Sequence, residues 1–116
     1  MDRNEFIKRL ENASAEIDKE YYNEMIEKVI AFNSLGDLGI HTNHVISMEE
    51  MAELSEEISR KLRGREESNI GILEEMADVI ICIDILRRIF NISDSDLNKA
   101  LNIKLDRFNE KIQKLR

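Results

Sequence analysis

The segment from Ile70 to Phe90 is the part of the sequence that most restricts the fold. It is nearly all apolar from Val79 to Ile83, and it also carries two carboxylates, Glu75 and Asp78. A stretch of about 20 residues without a turn signal is longer than a usual strand, which predicts a helix. Two carboxylates three residues apart also share a face only in a helix. Because the rest of the chain is polar, we expect this helix to be covered on most sides.

A second pair of carboxylates, Glu50 and Glu53, lies on a helix predicted from Thr42 to about Arg63. Residues three apart on a helix have their Cβ atoms about 5–6 Å from each other, so each pair forms an acidic edge. Packed helices lie about 8–10 Å apart, close enough for two such edges to converge on one or two cations. Oxygen ligands favour Mg²⁺ or Mn²⁺. The spacing therefore predicts a metal site made by Glu50, Glu53, Glu75 and Asp78.

Apolar residues at helical spacing predict helices elsewhere in the chain too. One or two helices precede the break at Asn33–Gly36, and a final amphipathic helix is capped near Ser93 or Asp94. We therefore predict an all-α fold of four or five helices. On the helix that carries the first acidic pair, a second apolar stripe predicts another inward-looking surface. This stripe is formed by Met48, Met51, Ile58 and Leu62.

Composition limits the kind of protein. The 116 residues fit one domain, residues 1–116. A composition of 42% hydrophobic and 35% charged residues without proline is typical of a compact helical protein. A domain this small is expected to complete its apolar faces with further copies, as a homodimer or homotetramer. The net charge of −7 argues against binding to nucleic acid polymers or anionic membranes. Cys82 is the single cysteine, and neither a secretory signal nor a membrane span is seen, which predicts a cytoplasmic protein.

Three ordered motifs carry a resemblance to a known family. An EExxE motif is formed by Glu49, Glu50 and Glu53, and an ExxD motif by Glu75 and Asp78. The segment from Ala100 to Phe108 follows them. From Ile46 to Arg107 the chain resembles the all-α nucleoside triphosphate pyrophosphohydrolases, the MazG-like and dimeric dUTPase-like enzymes. The sequence departs from the family upstream, where Asn43 stands in place of a frequent Gln and where no Trp is present.

The resemblance implies a MazG-like bundle and Mg²⁺-dependent hydrolysis of a nucleoside triphosphate to monophosphate and pyrophosphate, with Mn²⁺ as a possible substitute. It implies that Glu50, Glu53, Glu75 and Asp78 hold the metal and that Asn102, Lys104 and Arg107 contact the phosphates. Glu49 is a possible accessory residue, and Glu49 and Glu57 are candidates for the general base. Pyrimidine deoxynucleotides are the first expectation for the substrate. Two alternatives stay open: a phosphoribosyl-ATP pyrophosphohydrolase, and a non-enzymatic helical interaction protein with a structural metal site.

Overall fold

The computed structural model describes residues 1–115, which form five α-helices and no strand. The predicted all-α fold is thus confirmed for this part of the chain. None of the described helices is long and apolar enough to cross a membrane. The helices are α1 (Arg3–Asn12), α2 (Lys19–Asn33), α3 (His41–Leu62), α4 (Ile70–Ile89) and α5 (Asp94–Lys114).

The helix ends follow from local side-chain chemistry. The side chains of Asp2, Asp18 and Ser93 accept hydrogen bonds from the first-turn amides of α1, α2 and α5, which confirms the predicted cap at Ser93. Helix α3 begins one residue before the predicted start at Thr42. It ends at Leu62, and two residues later Gly64 has a φ of 72°, a conformation that glycine adopts without strain.

The chain divides into two compact units, Met1–Leu86 and a second unit that begins at Arg87. In the first unit, α3 and α4 run antiparallel, because Glu57 lies against Gly71 while Ser47 lies against Cys82. In the second unit, the guanidinium of Arg87 binds Asp94 at 2.7 Å and donates to the carbonyl of Ile92 at 3.3 Å. These contacts hold the turn that precedes α5.

The expectation that α4 is covered on most sides is wrong within the described chain. Helix α4 buries Gly71, Cys82 and Ile85, all on the side that faces α3. The opposite side is exposed, and its exposed residues are Leu73, Met76, Ile80 and Ile83.

The second apolar surface of α3 is exposed as well. Met48 and Leu62 are 70% and 81% exposed, and Met51 and Ile58 are each 39% exposed. Their spacing was expected to produce an inward-looking surface, and the described part of the chain provides nothing that covers it. The buried side of α3 is instead centred on Asn43 and Ser47.

Candidate metal centre

Three of the four predicted metal ligands converge between α3 and α4. Glu50 on α3 and Glu75 and Asp78 on α4 each offer a carboxylate oxygen, and these oxygens all lie within 4.8 Å of one another. Glu75 and Asp78 share a face of α4 because they are three residues apart. The antiparallel packing of α3 then places Glu50 opposite them. The result is an acidic cluster on two rigid helices.

The electrostatics of the cluster are those of like charges held together. Burial, followed by the neighbouring carboxylates of Asp78, Glu53 and Glu75, raises the pKa of Glu50 from 4.5 to about 7. The largest of these effects is the loss of hydration of the charged form on burial. Without a cation, Glu50 is therefore partly protonated near neutral pH.

Burial also raises the pKa of Glu75 and of Asp78 above their ordinary values. The charges of Glu53 and Asp78 add to the effect on Glu75, while the guanidinium of Arg3 partly opposes it. For Asp78, a hydrogen bond with Glu50 acts against the effect of burial. The hydrogen bond between Glu50 and Asp78 requires a proton on one of the two carboxyls. A cation placed between these carboxyls would remove their repulsion.

Glu53 lies at the edge of this cluster, whereas Glu49 has no described contact with it. Glu53 is exposed on α3 one turn beyond Glu50, and its charge raises the pKa of all three converging carboxyls. It does not belong to the group whose oxygens lie within 4.8 Å. Glu49 is exposed and points about 100° around the helix from Glu50.

The residues present fit a divalent cation of the Mg²⁺ or Mn²⁺ type. One carboxylate oxygen of Glu50 and one of Glu75 are buried without a hydrogen-bond partner among the described protein atoms. A buried carboxylate oxygen with no donor is costly, and a metal ion satisfies it. The donor set is all oxygen, which suits hard cations.

Next to the cluster, Arg3 of α1 lies between two further carboxylates that the sequence did not identify as a group. Its Nε is 2.9 Å from Glu74 Oε2, and its Nη2 is 3.5 Å from Glu57 Oε1. A Cβ atom at Gly71 would lie 2.2 Å from Arg3 Nη1 and 2.4 Å from Glu57 Oε2. Gly71 therefore provides the space for this ion-pair cluster. Glu57, a candidate general base, is already engaged with Arg3.

Asn43 is one of the most buried residues of the described chain. It is 1% exposed and donates from Nδ2 to Ser34 Oγ at 3.1 Å and to the carbonyl of Ile40 at 3.2 Å. Its contacts join α2 to α3. Farther along α3, Ser47 lies against the thiol of Cys82, and burial raises the pKa of that thiol, which keeps it protonated.

The residues expected to contact phosphates all lie on α5, in the second unit. Lys104 and Arg107 line one small cavity of about 130 Å³ together with Phe108 and Lys111. Asn102 is not among its lining residues, because it lies about 140–200° around the helix from the two cations. Lys104 and Arg107 can thus bind one anion together.

An apolar cavity of about 490 Å³ lies in the first unit, between α2, the segment before it, and Ile81 of α4. This volume falls within the range of small-molecule sites. Ile81 follows Asp78 by three residues, a rise of about 4.5 Å along α4. The hydroxyl of Tyr22, a second lining residue, donates to Asp84 Oδ2. The cavity is lined by Glu16, Ile17, Asp18, Tyr21, Tyr22, Met25, Ile26, Val29 and Ile81.

Comparison with protein families, curated proteins and solved structures gives no match for this chain.

Proposed function

We propose that this chain is a Mg²⁺-dependent nucleoside triphosphate pyrophosphohydrolase with a MazG-like all-α fold, which acts in the cytoplasm as a homo-oligomer. The observation that carries the proposal is the convergence of Glu50, Glu75 and Asp78 on oxygens within 4.8 Å. Oxygen donors at the junction of two helices are what Mg²⁺-assisted phosphate chemistry requires. The order of the EExxE and ExxD motifs supports the same reaction class.

A bound divalent cation supplies Lewis acidity and lowers the pKa of a water molecule next to the phosphates. The chain's own carboxylates hold the positions of the cation-binding oxygens, and the ion pairs of Arg3 hold α1 against both ligand-bearing helices. Hydrolysis breaks the P–O bond between the α and β phosphates, adds hydroxide to phosphorus and releases one proton. In the second unit, Lys104 and Arg107 line a cavity that suits an anion such as pyrophosphate.

We assign the nucleoside to the apolar cavity beside α4. Its wall includes Ile81, one turn from Asp78, and it offers the ring of Tyr21 for stacking on a base. Tyr21→Ala should therefore raise KM for a nucleoside triphosphate several-fold with a smaller effect on kcat, as expected for lost substrate binding. An unchanged KM would place the base elsewhere.

The experiment that tests the function is turnover of ribo- and deoxynucleoside triphosphates with Mg²⁺ or Mn²⁺, with the products identified. Monophosphate together with pyrophosphate is the expected result. Release of single phosphate, or no turnover by folded protein that binds Mn²⁺, would contradict the proposal. In the second case phosphoribosyl-ATP would be the next substrate, and failure there would leave a structural metal site.

Variants connect any activity to the acidic cluster. Glu50→Gln, Glu75→Gln and Asp78→Asn should each lower kcat/KM by at least about 100-fold, because each removes a charged ligand. Glu56→Gln is the matched control, since Glu56 lies exposed on the same helix in an ion pair with Arg63. Equal losses in the control and in the ligand variants would show that helix stability rather than metal binding is being measured.

A further inference from the structure

The polar side chains that line the apolar cavity beside α4 are mainly hydrogen-bond acceptors. They are the carboxylates of Glu16 and Asp18 and the hydroxyls of Tyr21 and Tyr22. Among the described residues that line the cavity there is no lysine, arginine, histidine, asparagine or glutamine. An ionised carboxylate only accepts hydrogen bonds, whereas a hydroxyl both donates and accepts. The cavity therefore favours a ligand that brings hydrogen-bond donors of its own.

The protein itself already uses part of this polar lining. Asp18 Oδ1 accepts a hydrogen bond of 3.1 Å from the backbone amide of Tyr21, because Asp18 caps α2. The hydroxyl of Tyr22 donates its proton to Asp84 Oδ2, so this proton is directed to another protein group. Tyr21 thus carries the remaining hydroxyl of the lining.

The carboxylate of Glu16 is the acceptor that the described chain leaves to a ligand. Within residues 1–115 this carboxylate has neither an ion pair nor a hydrogen bond, whereas the backbone amide of Glu16 donates to Ser14 Oγ at 3.1 Å. That backbone contact fixes the segment before α2 and with it the position from which the carboxylate extends. Glu16 is therefore placed to read the polar edge of a bound molecule.

The rest of the lining binds flat rings without distinguishing between them. The ring of Tyr21 can stack on a base, and stacking tolerates every base because every base has a π-face. Apolar walls contact the faces and the apolar edge of a ring in the same unselective way. The choice between bases thus depends on the polar edge at Glu16. The apolar walls are formed by Ile17, Met25, Ile26, Val29 and Ile81.

We propose that the carboxylate of Glu16 selects nucleobases with an exocyclic amino group, such as cytosine and adenine, over bases with a carbonyl at the same position, such as uracil and hypoxanthine. This selection rests on the proposed function, which assigns the nucleoside to this cavity. The amino group donates to the carboxylate, whereas a carbonyl oxygen there repels it. The ring N–H of uracil is a poor substitute, because it lies between two carbonyl oxygens that repel a carboxylate.

Two pairs of substrates test the selection. CTP and UTP differ by an amino group or a carbonyl at one ring carbon, and ATP and inosine triphosphate differ in the same way. Each pair has the same ring system, sugar and phosphates, so the ratio of kcat/KM within a pair reports the polar edge alone. Because Glu16 is exposed and water competes for it, we expect the amino member to be favoured by about 10-fold.

Glu16→Gln connects this ratio to the carboxylate. The amide of Gln presents either a donor or an acceptor, so the ratio in both pairs should fall to within about threefold of one. Glu20→Gln is the matched control, since Glu20 is exposed in the first turn of α2, does not line the cavity and loses the same charge. An unchanged ratio in Glu16→Gln, or an equal fall in Glu20→Gln, would overturn the selection.

Nucleoside binding provides a measurement that does not need hydrolysis. The chain has two tyrosines, and both line the cavity, so the NMR signals of the tyrosine rings report its occupancy. Cytidine should shift these signals with a dissociation constant about 10-fold below that of uridine, and Glu16→Gln should make the two constants equal.

The two measurements separate the selection from the proposed hydrolysis. Equal binding of cytidine and uridine, or no shift of the tyrosine signals with either, would overturn the selection even in a chain that hydrolyses triphosphates. Tighter binding of cytidine that depends on Glu16, in a chain that hydrolyses no triphosphate, would support the selection and contradict the hydrolase.

Discussion

Asn33 donates a hydrogen bond of 3.0 Å from Nδ2 to Oδ1 of Asn43, and this contact joins the last residue of α2 to the first turn of α3. Asn43 in turn donates to Ser34 and to the carbonyl of Ile40, so both ends of its amide are satisfied inside the protein. Glu50 lies two turns farther along α3. The asparagine pair therefore sets where the helix that carries the acidic cluster starts.

The first prediction concerns this buried network. Asn43→Ala should reduce the free energy of unfolding by about 2–4 kcal/mol, because it leaves the amide of Asn33 without its acceptor and removes the hydrogen bond that the hydroxyl of Ser34 accepts. Urea unfolding measures the change. Asn98→Ala, at an exposed position of α5, is the control and should change stability by less than about 0.5 kcal/mol. A loss at Asn43 as small as that of the control would contradict a structural role.

Local sequence pattern predicted the helices and most of the acidic cluster. The length of the segment after Ile70 favoured a helix over a strand, and the structure has a helix from Ile70 to Ile89. The three-residue spacing of Glu75 and Asp78 put them on one face, and the structure brings Glu50 to them. These features follow from periodicity along single helices and from the packing distance of two helices.

Features that depend on contacts between distant segments could not be predicted in this way. Arg3 meets Glu57 and Glu74, which lie more than 50 residues away, and no local spacing indicates the pairing. Asn43 is buried where α2 and α3 meet, and its contacts with Asn33 and Ser34 also join residues that no helical spacing relates. The apolar pattern of α4 predicted a helix covered on most sides, whereas the side with Leu73, Met76, Ile80 and Ile83 is exposed.

The second prediction concerns the space at Gly71. Because a Cβ atom there would lie 2.2 Å from Arg3 Nη1, Gly71→Ala must displace the ion pair between Arg3 and Glu57. In the unmodified background we expect little gain in stability, since the loss of the pair opposes the higher helix propensity of alanine. In a background in which Arg3→Ala and Glu57→Ala remove both side chains that the Cβ atom would meet, the same substitution should stabilise by up to about 1 kcal/mol. A double-mutant cycle by urea unfolding measures the difference, and additive effects would contradict the coupling.

The third prediction is a pH dependence of stability in the absence of metal. Folding raises the pKa of Glu50 from 4.5 to about 7, so the carboxyl of Glu50 binds its proton more tightly in the folded protein than in the unfolded chain. Between these two values the folded state holds more protons, so the contribution of Glu50 to stability falls as pH rises from 4.5 to 7 and is then constant. The raised pKa of Glu75 and of Asp78 acts in the same direction.

Glu50→Gln removes this titration, so the variant does not lose the stability that the unmodified chain loses as pH rises. The stability of the variant relative to the unmodified chain should therefore increase from pH 5 to pH 8. Urea midpoints at pH 5 and at pH 8, measured in EDTA, give the comparison. Glu56→Gln, which changes an exposed carboxylate on the same helix, should show no such trend. A pH profile of Glu50→Gln that runs parallel to that of the unmodified chain would contradict the raised pKa.

The fourth prediction is stabilisation by a divalent cation. An ion that binds only the folded chain adds about 2.7 kcal/mol to the free energy of unfolding at 100 times its dissociation constant, so Mn²⁺ should raise the melting temperature and EDTA should reverse the effect. Asp78→Asn should abolish most of the shift, because one of the three converging carboxylates becomes neutral. Asp106→Asn, exposed on α5, controls for charge. A Mn²⁺ shift that persists in Asp78→Asn would locate the ion elsewhere.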